Sequence, residues 1–168
     1  MNYESRIHLK SLWDKVMSAD EAAALIQENM TLGFSGFVAT GYPKLIPQAI
    51  AARSTAKNLN IMAGASAGKE VDGLLSQAGL VASRAPFNVN ADLRKGINQG
   101  TIRFTDVHLG DFPGQVQKGI WGTVDFAIIE CCSILNDGSI VPTLSAGASA
   151  AFVSEAKQVI LELNFQVD

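Results

Sequence analysis

The stretch Gly33-Phe34-Ser35-Gly36-Phe37-Val38-Ala39-Thr40-Gly41-Tyr42-Pro43 decides the fold of this chain. The apolar run Met30 to Phe34 predicts a buried strand, and residues 43–52, which follow the stretch, predict a helix. Its glycines tolerate positive φ and allow a ligand to approach the backbone closely. A loop between a strand and a helix N-terminus is where α/β proteins bind anionic groups. The spacing is neither GxGxxG nor a P-loop, so an ordinary turn explains it equally well.

The same order of strand, small-residue loop and helix recurs twice along the chain. A strand predicted at residues 58–63 leads into Gly64–Gly68, and a short strand at residues 140–142 leads into the loop at residues 145–149. Strands alternate with helical segments, which predicts an open α/β fold with a mostly parallel sheet flanked by helices. Because the carboxyl ends of parallel strands share one edge, the three loops are expected to converge there.

The remaining elements follow from apolar patterns and from capping and turn residues. Ser18-Ala19-Asp20-Glu21 is a capping box that starts the first helix, and Asn136-Asp137-Gly138-Ser139 predicts a hairpin turn. Residues 1–17 lack a clear period, and a lead-in helix is the expectation there. The first helix is predicted to run from this capping box through Gln27. Further helices are predicted at residues 43–52, 69–77, 91–98 and 112–118, with a last one that follows the third loop and runs through Val153. Further strands are predicted at residues 80–82, 101–107, 124–130 and 158–163.

Length, charge and composition limit the classes of protein that this chain represents. At 168 residues, with 48% hydrophobic and 17% charged residues, it is expected to be a single globular domain spanning residues 1–168. The net charge of −3, without a Lys/Arg block, argues against nucleic acid as a partner. No leader and no membrane-spanning run is expected. The aliphatic-rich, weakly charged composition predicts that a partner covers some of the surface, either another subunit or a missing part of the chain.

The two cysteines, Cys131 and Cys132, are adjacent and therefore provide no disulfide framework. Buried, inert thiols are expected, and a reduced, cytoplasmic setting fits them. No His, Cys, Asp and Glu residues stand at metal-ligand spacing, so no metal site is expected.

The opening stretch resembles the first family of coenzyme A transferases. The amino-terminal half of those enzymes carries three apolar residues, Gly-Gly-Phe, three variable residues, Gly, any residue and Pro. Here Ser35 replaces the first glycine of the pair and Gly33 interrupts the apolar triplet. These departures resemble the acetyl-CoA hydrolase/transferase branch, which includes succinyl-CoA:acetate CoA-transferases. Similar segments span the chain from Ser18 to Leu163, among them Met62–Ser66, Arg84–Phe87, Leu93–Asn98, Asp106–Leu109 and Ile140–Thr143.

The resemblance implies an enzyme of acyl-CoA and acetate metabolism, either a CoA-transferase or an acyl-CoA thioester hydrolase. It implies a coenzyme A thioester and a small carboxylate as substrates, no tightly bound cofactor and a homodimer. In such enzymes a glutamate of the carboxyl-terminal half attacks the thioester and carries CoA as a glutamyl thioester. This chain is therefore expected to be the amino-terminal domain alone, inactive by itself. An isolated domain, a proteolytic remnant and one subunit of a split enzyme remain as alternatives.

Backbone N–H groups in small-residue loops suit the stabilisation of oxyanions that develop during acyl transfer. The predicted substrate-binding residues are Ser35, Gly36, Phe37, Gly41, Gly64, Ala65 and Ser66. Each of them also has a purely structural interpretation as part of a turn or of a close-packed strand end. No catalytic residue is predicted within the chain.

Other polar residues receive weaker functional interpretations. A hydrogen-bonded structural acid is favoured for Glu130 over a catalytic one, and a satisfied structural histidine is favoured for His108. Arg84 either pairs with a carboxylate substrate or forms a salt bridge within the fold. A helix N-cap explains the serines of the third loop, Ser145 and Ser149.

Two functions outside this enzyme class stay open. A stand-alone Rossmann-like module that binds a nucleotide or CoA without catalysis is disfavoured because the chain lacks GxGxxG with an acidic residue about 20 positions further on. The second open function is that of a purely structural partner subunit.

Overall fold

A computed structural model describes residues 2–167, apart from the side chain of Ser66. Seven strands form one sheet: β1 (Thr31–Val38), β2 (Leu59–Ala67), β3 (Val81–Ala85), β4 (Arg103–Phe104), β5 (Val124–Ile134), β6 (Ile140–Pro142) and β7 (Ala156–Leu163). Their order is β4-β3-β2-β1-β5-β6, with β7 also paired to β5. The β5–β6 hairpin is antiparallel, and the other described strand pairs are parallel. The predicted α/β class is confirmed.

The helices are short and alternate with the strands: α1 (Ala19–Ala24), α2 (Leu45–Arg53), α3 (Leu75–Gln77), α4 (Ala91–Asn98), α5 (Phe112–Gln117) and α6 (Ser149–Glu155). A π-helical segment, Lys69–Leu74, leads directly into α3. The lead-in helix expected at residues 1–17 is wrong, because 3₁₀ turns at Tyr3–Ser5 and Lys10–Lys15 take its place. None of the helices in the described part of the chain is both long and apolar enough to cross a bilayer.

Each face of the sheet carries its own hydrophobic core. Helices α1 to α4 pack on one face, where Phe126 and Ile128 of β5 point, and helices α5 and α6 pack on the other, where Ala127 and Ile129 point. Strand β5 is therefore buried on both faces, which explains its nearly continuous apolar sequence. It pairs with β1 on one side and with β7 on the other.

Several predicted boundaries are corrected by strand pairing. Strands β1 and β2 continue beyond the predicted strand ends, because Phe37 pairs with Ala65 and Val38 with Ala67 after register shifts. Most of the sequence interpreted as two loops is thus irregular strand. The predicted strand at residues 101–107 is reduced to Arg103–Phe104, the only residues there that pair with β3.

The predicted start of α2 is also corrected. Pro43 lies before the helix, which begins at Leu45, and Pro47 occupies its third position. A proline is tolerated there because the first four N–H groups of a helix have no intrahelical acceptor. The capping box of α1 is confirmed, with the Ser18 N–H donating to Glu21 (2.8 Å) and the Glu21 N–H donating to Ser18 Oγ (3.2 Å).

Candidate functional site

Three small-residue segments meet at one edge of the sheet. Two lie at the carboxyl ends of the parallel strands β1 and β2, as predicted, whereas the third follows the antiparallel strand β6. A Cβ atom added to Gly64 would lie 2.7 Å from the backbone nitrogen of Ala148, and one added to Gly147 would lie 2.5 Å from the carbonyl oxygen of Gly36. Gly147 also has a positive φ of +55°. Backbone therefore packs directly on backbone between β1, β2 and the segment that precedes α6, and side chains at these glycines would separate the segments.

The end of β1 forms a tight turn that projects from this edge. The N–H groups of Phe37 and Thr40 each donate to the carbonyl oxygen of the other residue, at 3.0 and 3.1 Å. Val38 at the tip has a φ of +56°, which is unusual for a β-branched residue. Phe37 and Val38 are 50% and 40% exposed, and Leu144 on the third segment is 70% exposed. The edge thus presents apolar side chains to its surroundings.

Ser35 and Gly41 hold the turn in place from inside the fold. The buried hydroxyl of Ser35 donates to the carbonyl oxygen of Gly41 (2.8 Å) and accepts from the N–H of Glu130 (2.9 Å). Ser145 Oγ donates to the carbonyl oxygen of Thr40 (2.8 Å), which links the third segment to the turn. The hydroxyl of Ser35 is therefore used within the protein.

The predicted residues on β2 lie beside this turn. Ala65 is buried in the strand opposite Phe37, and Gly64 contacts the third segment. Ser66 lies in the same strand, and its side chain falls outside the described residues.

Glu130 stands at the centre of the edge and is only 2% exposed. One carboxylate oxygen accepts from Thr143 Oγ1 (2.7 Å), and the other is paired with Lys44 Nζ. Lys44 Nζ also donates to the carbonyl oxygen of Tyr42 (2.8 Å) and lies 4.4 Å from the centre of its ring. The prediction of a hydrogen-bonded acid is confirmed, but the strand predicted at residues 124–130 continues to Ile134, so Glu130 lies within it.

A second acid, Glu162 on β7, binds the first turn of α2. Its carboxylate accepts from the N–H groups of Lys44 (2.6 Å), Leu45 (3.2 Å) and Ile46 (2.9 Å). A carboxylate at this position satisfies unpaired N–H groups and complements the helix dipole. Since α2 has no side-chain cap of its own, this contact fixes the helix start beside the turn.

The π-helical segment supplies two buried acids that hold the strand ends. Asp72 forms a fully buried ion pair with Arg84 (Nε to Oδ1, 2.8 Å) and accepts from the N–H of Ala67 (3.1 Å). Glu70 accepts from the hydroxyl of Tyr42 (2.6 Å). Burial raises the pKa of the Tyr42 hydroxyl, and the hydrogen bond with Glu70 raises it further. Of the two alternatives for Arg84, the structure has the salt bridge within the fold.

Sequence patterns did not reveal Lys44, Glu70, Asp72 and Glu162 as parts of this edge. The available signals were a lysine directly after Gly-Tyr-Pro and two acids, Glu70 and Asp72, close together directly after a small-residue loop. His108 lies elsewhere, with an 81% exposed side chain whose Nδ1 accepts from the N–H of Gly110 (3.2 Å). The described contacts of His108 lie within its own loop, as expected of a structural histidine.

The buried thiol of Cys131 gives a testable dependence on pH. Burial, and then the nearby Cys132, Glu130 and Glu162, raise its pKa from 9.0 to about 12. Above pH 9 the unfolded chain loses this proton while the folded chain keeps it, so stability falls as the pH rises. We expect a loss of about 2 kcal/mol between pH 8.5 and 10.5 in urea unfolding. The variant Cys131→Ala should show a flatter profile, and an unchanged slope in that variant would contradict the assignment.

Comparison with solved structures places the fold among coenzyme A transferases. Glutaconate coenzyme A-transferase of Acidaminococcus fermentans superposes with a TM-score of 0.71 at 16% identity, covering 88% of this chain and 68% of that one. An acyl-CoA transferase of Escherichia coli O157:H7, solved as a thioester complex with CoA, superposes with a TM-score of 0.67 at 15% identity, covering 90% of this chain and 44% of that one.

Sequence comparison then identifies the family. The profile described as acetyl-CoA hydrolase/transferase N-terminal domain matches residues 1–168, and the chain belongs to this family. Succinyl-CoA:acetate CoA-transferase of Clostridium kluyveri is 37% identical over 165 residues, which cover 96% of this chain and 31% of the relative. Acetyl-CoA hydrolase of Saccharomyces cerevisiae is 35% identical over 174 residues, covering 96% and 33%. The chain thus spans about a third of the length of these relatives.

Proposed function

We propose that this chain is the amino-terminal domain of a CoA-transferase or acetyl-CoA hydrolase that acts on acyl-CoA and small carboxylates such as acetate. One observation carries the proposal: three glycine-packed segments converge at one sheet edge and surround a half-exposed apolar turn. Named relatives that are 35% and 37% identical carry these activities and support it. The proposal includes a cytoplasmic homo-oligomer without nucleic-acid or membrane partners.

In this proposal the edge forms one wall of the acyl and carboxylate pocket. The ring of Phe37 faces the acyl group, and Ser35 maintains the shape of the turn through its bond to Gly41. Backbone N–H groups near this wall donate to the oxyanion that develops when a thioester carbonyl is attacked. The wall comprises Ser35, Gly36, Phe37, Gly41, Gly64, Ala65 and Ser66.

The nucleophile of the proposed reaction is a glutamate outside these 168 residues, in a carboxyl-terminal half. Its carboxylate attacks the acyl-CoA carbonyl, the C–S bond breaks, and the CoA thiolate then forms a thioester with the glutamyl carbonyl while the acyl group leaves as a carboxylate. A second carboxylate, or water, completes transfer or hydrolysis. Coenzyme A is a substrate here, and no resident cofactor takes part.

A domain exchange tests the proposed function. Residues 1–168 replace the corresponding third of the Clostridium kluyveri transferase, and CoA transfer from succinyl-CoA to acetate is measured for the chimera and for this chain alone. We expect transfer by the chimera and none by the chain alone. Turnover by the chain alone would contradict the proposal and direct attention to Glu130. A folded but inactive chimera, together with tight calorimetric binding of CoA or a nucleotide by the chain, would favour a binding module.

A further inference from the structure

The buried residue Glu130 links the first and third segments of the candidate site to the start of α2. Its own N–H binds Ser35 on β1, one oxygen accepts from Thr143 on the third segment, and the other pairs with Lys44 at the start of α2. In sequence, Glu130 is separated by 95 residues from Ser35, by 13 residues from Thr143 and by 86 residues from Lys44. These four residues, Ser35, Lys44, Glu130 and Thr143, are called the Glu130 network below.

The burial of a charge at this point has no explanation in packing alone. Removing a carboxylate from water carries a large penalty, which an ion pair rarely more than offsets. An apolar residue at this position of the buried strand would therefore give a fold of equal or greater stability. Neighbouring residues on β5, such as Ile128 and Ile129, follow that rule and are fully buried. Oriented hydrogen bonds, by contrast, fix the relative positions of separate backbone segments.

We infer that Glu130 is a positioning residue that sets the distance between the Phe37–Thr40 turn and the segment 143–148. The inference rests on the proposed function for its catalytic consequence. Glu130 binds no substrate itself, because both of its oxygens are occupied within the fold and it is 2% exposed. Its carboxylate acts through Lys44 on one side of the pocket and through Thr143 on the other, while its backbone N–H holds Ser35.

The ion pair is asymmetric, which predicts an order among variants. Lys44 has a side chain that is 40% exposed, whereas the side chain of Glu130 is 2% exposed. Loss of Glu130 leaves an ammonium that reaches water, but loss of Lys44 leaves a buried carboxylate without its cation. Lys44→Met should therefore disturb the network more than Glu130→Gln, and Lys44→Arg should preserve it.

Amide hydrogen exchange on the 168-residue chain tests the positioning role independently of activity. In Glu130→Gln we expect the amides of Thr40 and Ser149 to exchange about tenfold faster, the change typical for loss of a charge-assisted hydrogen bond. The amides of Leu59 and Asn60, at the opposite end of the sheet, should not change. Thr143→Val should affect mainly Ser149. Unchanged exchange at Thr40 and Ser149 in both variants would overturn the inference.

Asp125→Asn provides a matched control on the same strand. Asp125 also pairs with a lysine, Lys157 (2.8 Å), and with a backbone N–H, that of Thr31 (2.9 Å), but at the far end of β5. Its loss should leave exchange at Thr40 and Ser149 unchanged. An equal acceleration in this control would show a general loosening of the strand and would also overturn the inference.

The chimera then tests the catalytic consequence. Glu130→Gln should lower kcat/KM by about tenfold or more through displacement of the pocket walls, and Lys44→Arg should retain activity where Lys44→Met loses it. Faster exchange with unchanged kcat/KM would overturn the link to the pocket. If the unmodified chimera is folded and inactive, the proposed function fails, while the exchange measurements still decide whether Glu130 holds the two segments.

Discussion

Arg84→Met is expected to lower the free energy of unfolding by about 3–5 kcal/mol, because it leaves the carboxylate of Asp72 buried without its cation. Both side chains of the pair are completely inaccessible to solvent. The guanidinium contacts Asp72 through two nitrogens, at 2.8 and 3.4 Å, and also donates to the carbonyl oxygen of Ala85. Urea unfolding followed by circular dichroism measures the loss.

The double variant Arg84→Met with Asp72→Leu separates charge from packing. We expect it to recover most of the lost stability, since a buried ion pair can be replaced by apolar side chains at little cost. Recovery should stay incomplete, because the N–H of Ala67 and the carbonyl oxygen of Ala85 lose their partners. Arg53→Met, at an exposed position of α2, is the surface control and should change stability by less than about 0.5 kcal/mol. A similar loss in Arg53→Met would contradict the explanation.

Most of the fold could be predicted because it depends on local signals. Consecutive residues encode the capping box of α1, the helix at Ala91–Asn98 and the apolar run of β5. Alternation of strands and helices then restricts the sheet to a mostly parallel order. The predicted strand ends were wrong where pairing between strands overrides local composition. Ser35–Phe37 and Gly64–Ala67 have the composition of loops. They nevertheless extend β1 and β2, because each strand supplies hydrogen-bond partners for the other.

The sequence predicted which backbone segments form the candidate site, but it did not predict the polar side-chain contacts that hold them together. The glycines at positions 36, 64 and 147 marked the three converging segments, since small residues at strand ends allow close approach. The pairing of Lys44 with Glu130 joins residues 86 positions apart, and no periodicity or spacing connects them. The acids of the π-helical segment were hidden for the same reason, because their partners lie on other elements.

Gly147→Ala is expected to be the most damaging single change at the site itself. An added methyl group would lie 2.5 Å from the carbonyl oxygen of Gly36, and the residue would be held at a φ of +55°. Overpacking against backbone costs about 1–3 kcal/mol, and the left-handed conformation adds about 1–2 kcal/mol. In the chimera, a displacement of the walls by about 1 Å should lower kcat/KM by about a hundredfold.

Variants of two further glycines distinguish the steric clash from the backbone strain as the cause of this loss. Gly64→Ala brings a methyl group 2.7 Å from the nitrogen of Ala148 at a position without positive φ, and so reports the clash alone. Gly100→Ala has a φ of +74° with open space around it, far from the edge, and so reports backbone strain alone. If the convergence of backbones shapes the pocket, Gly64→Ala and Gly147→Ala should both reduce kcat/KM, whereas Gly100→Ala should cost only stability. Equal losses of activity in all three variants would mean that stability, and not the spacing of the three segments, controls turnover.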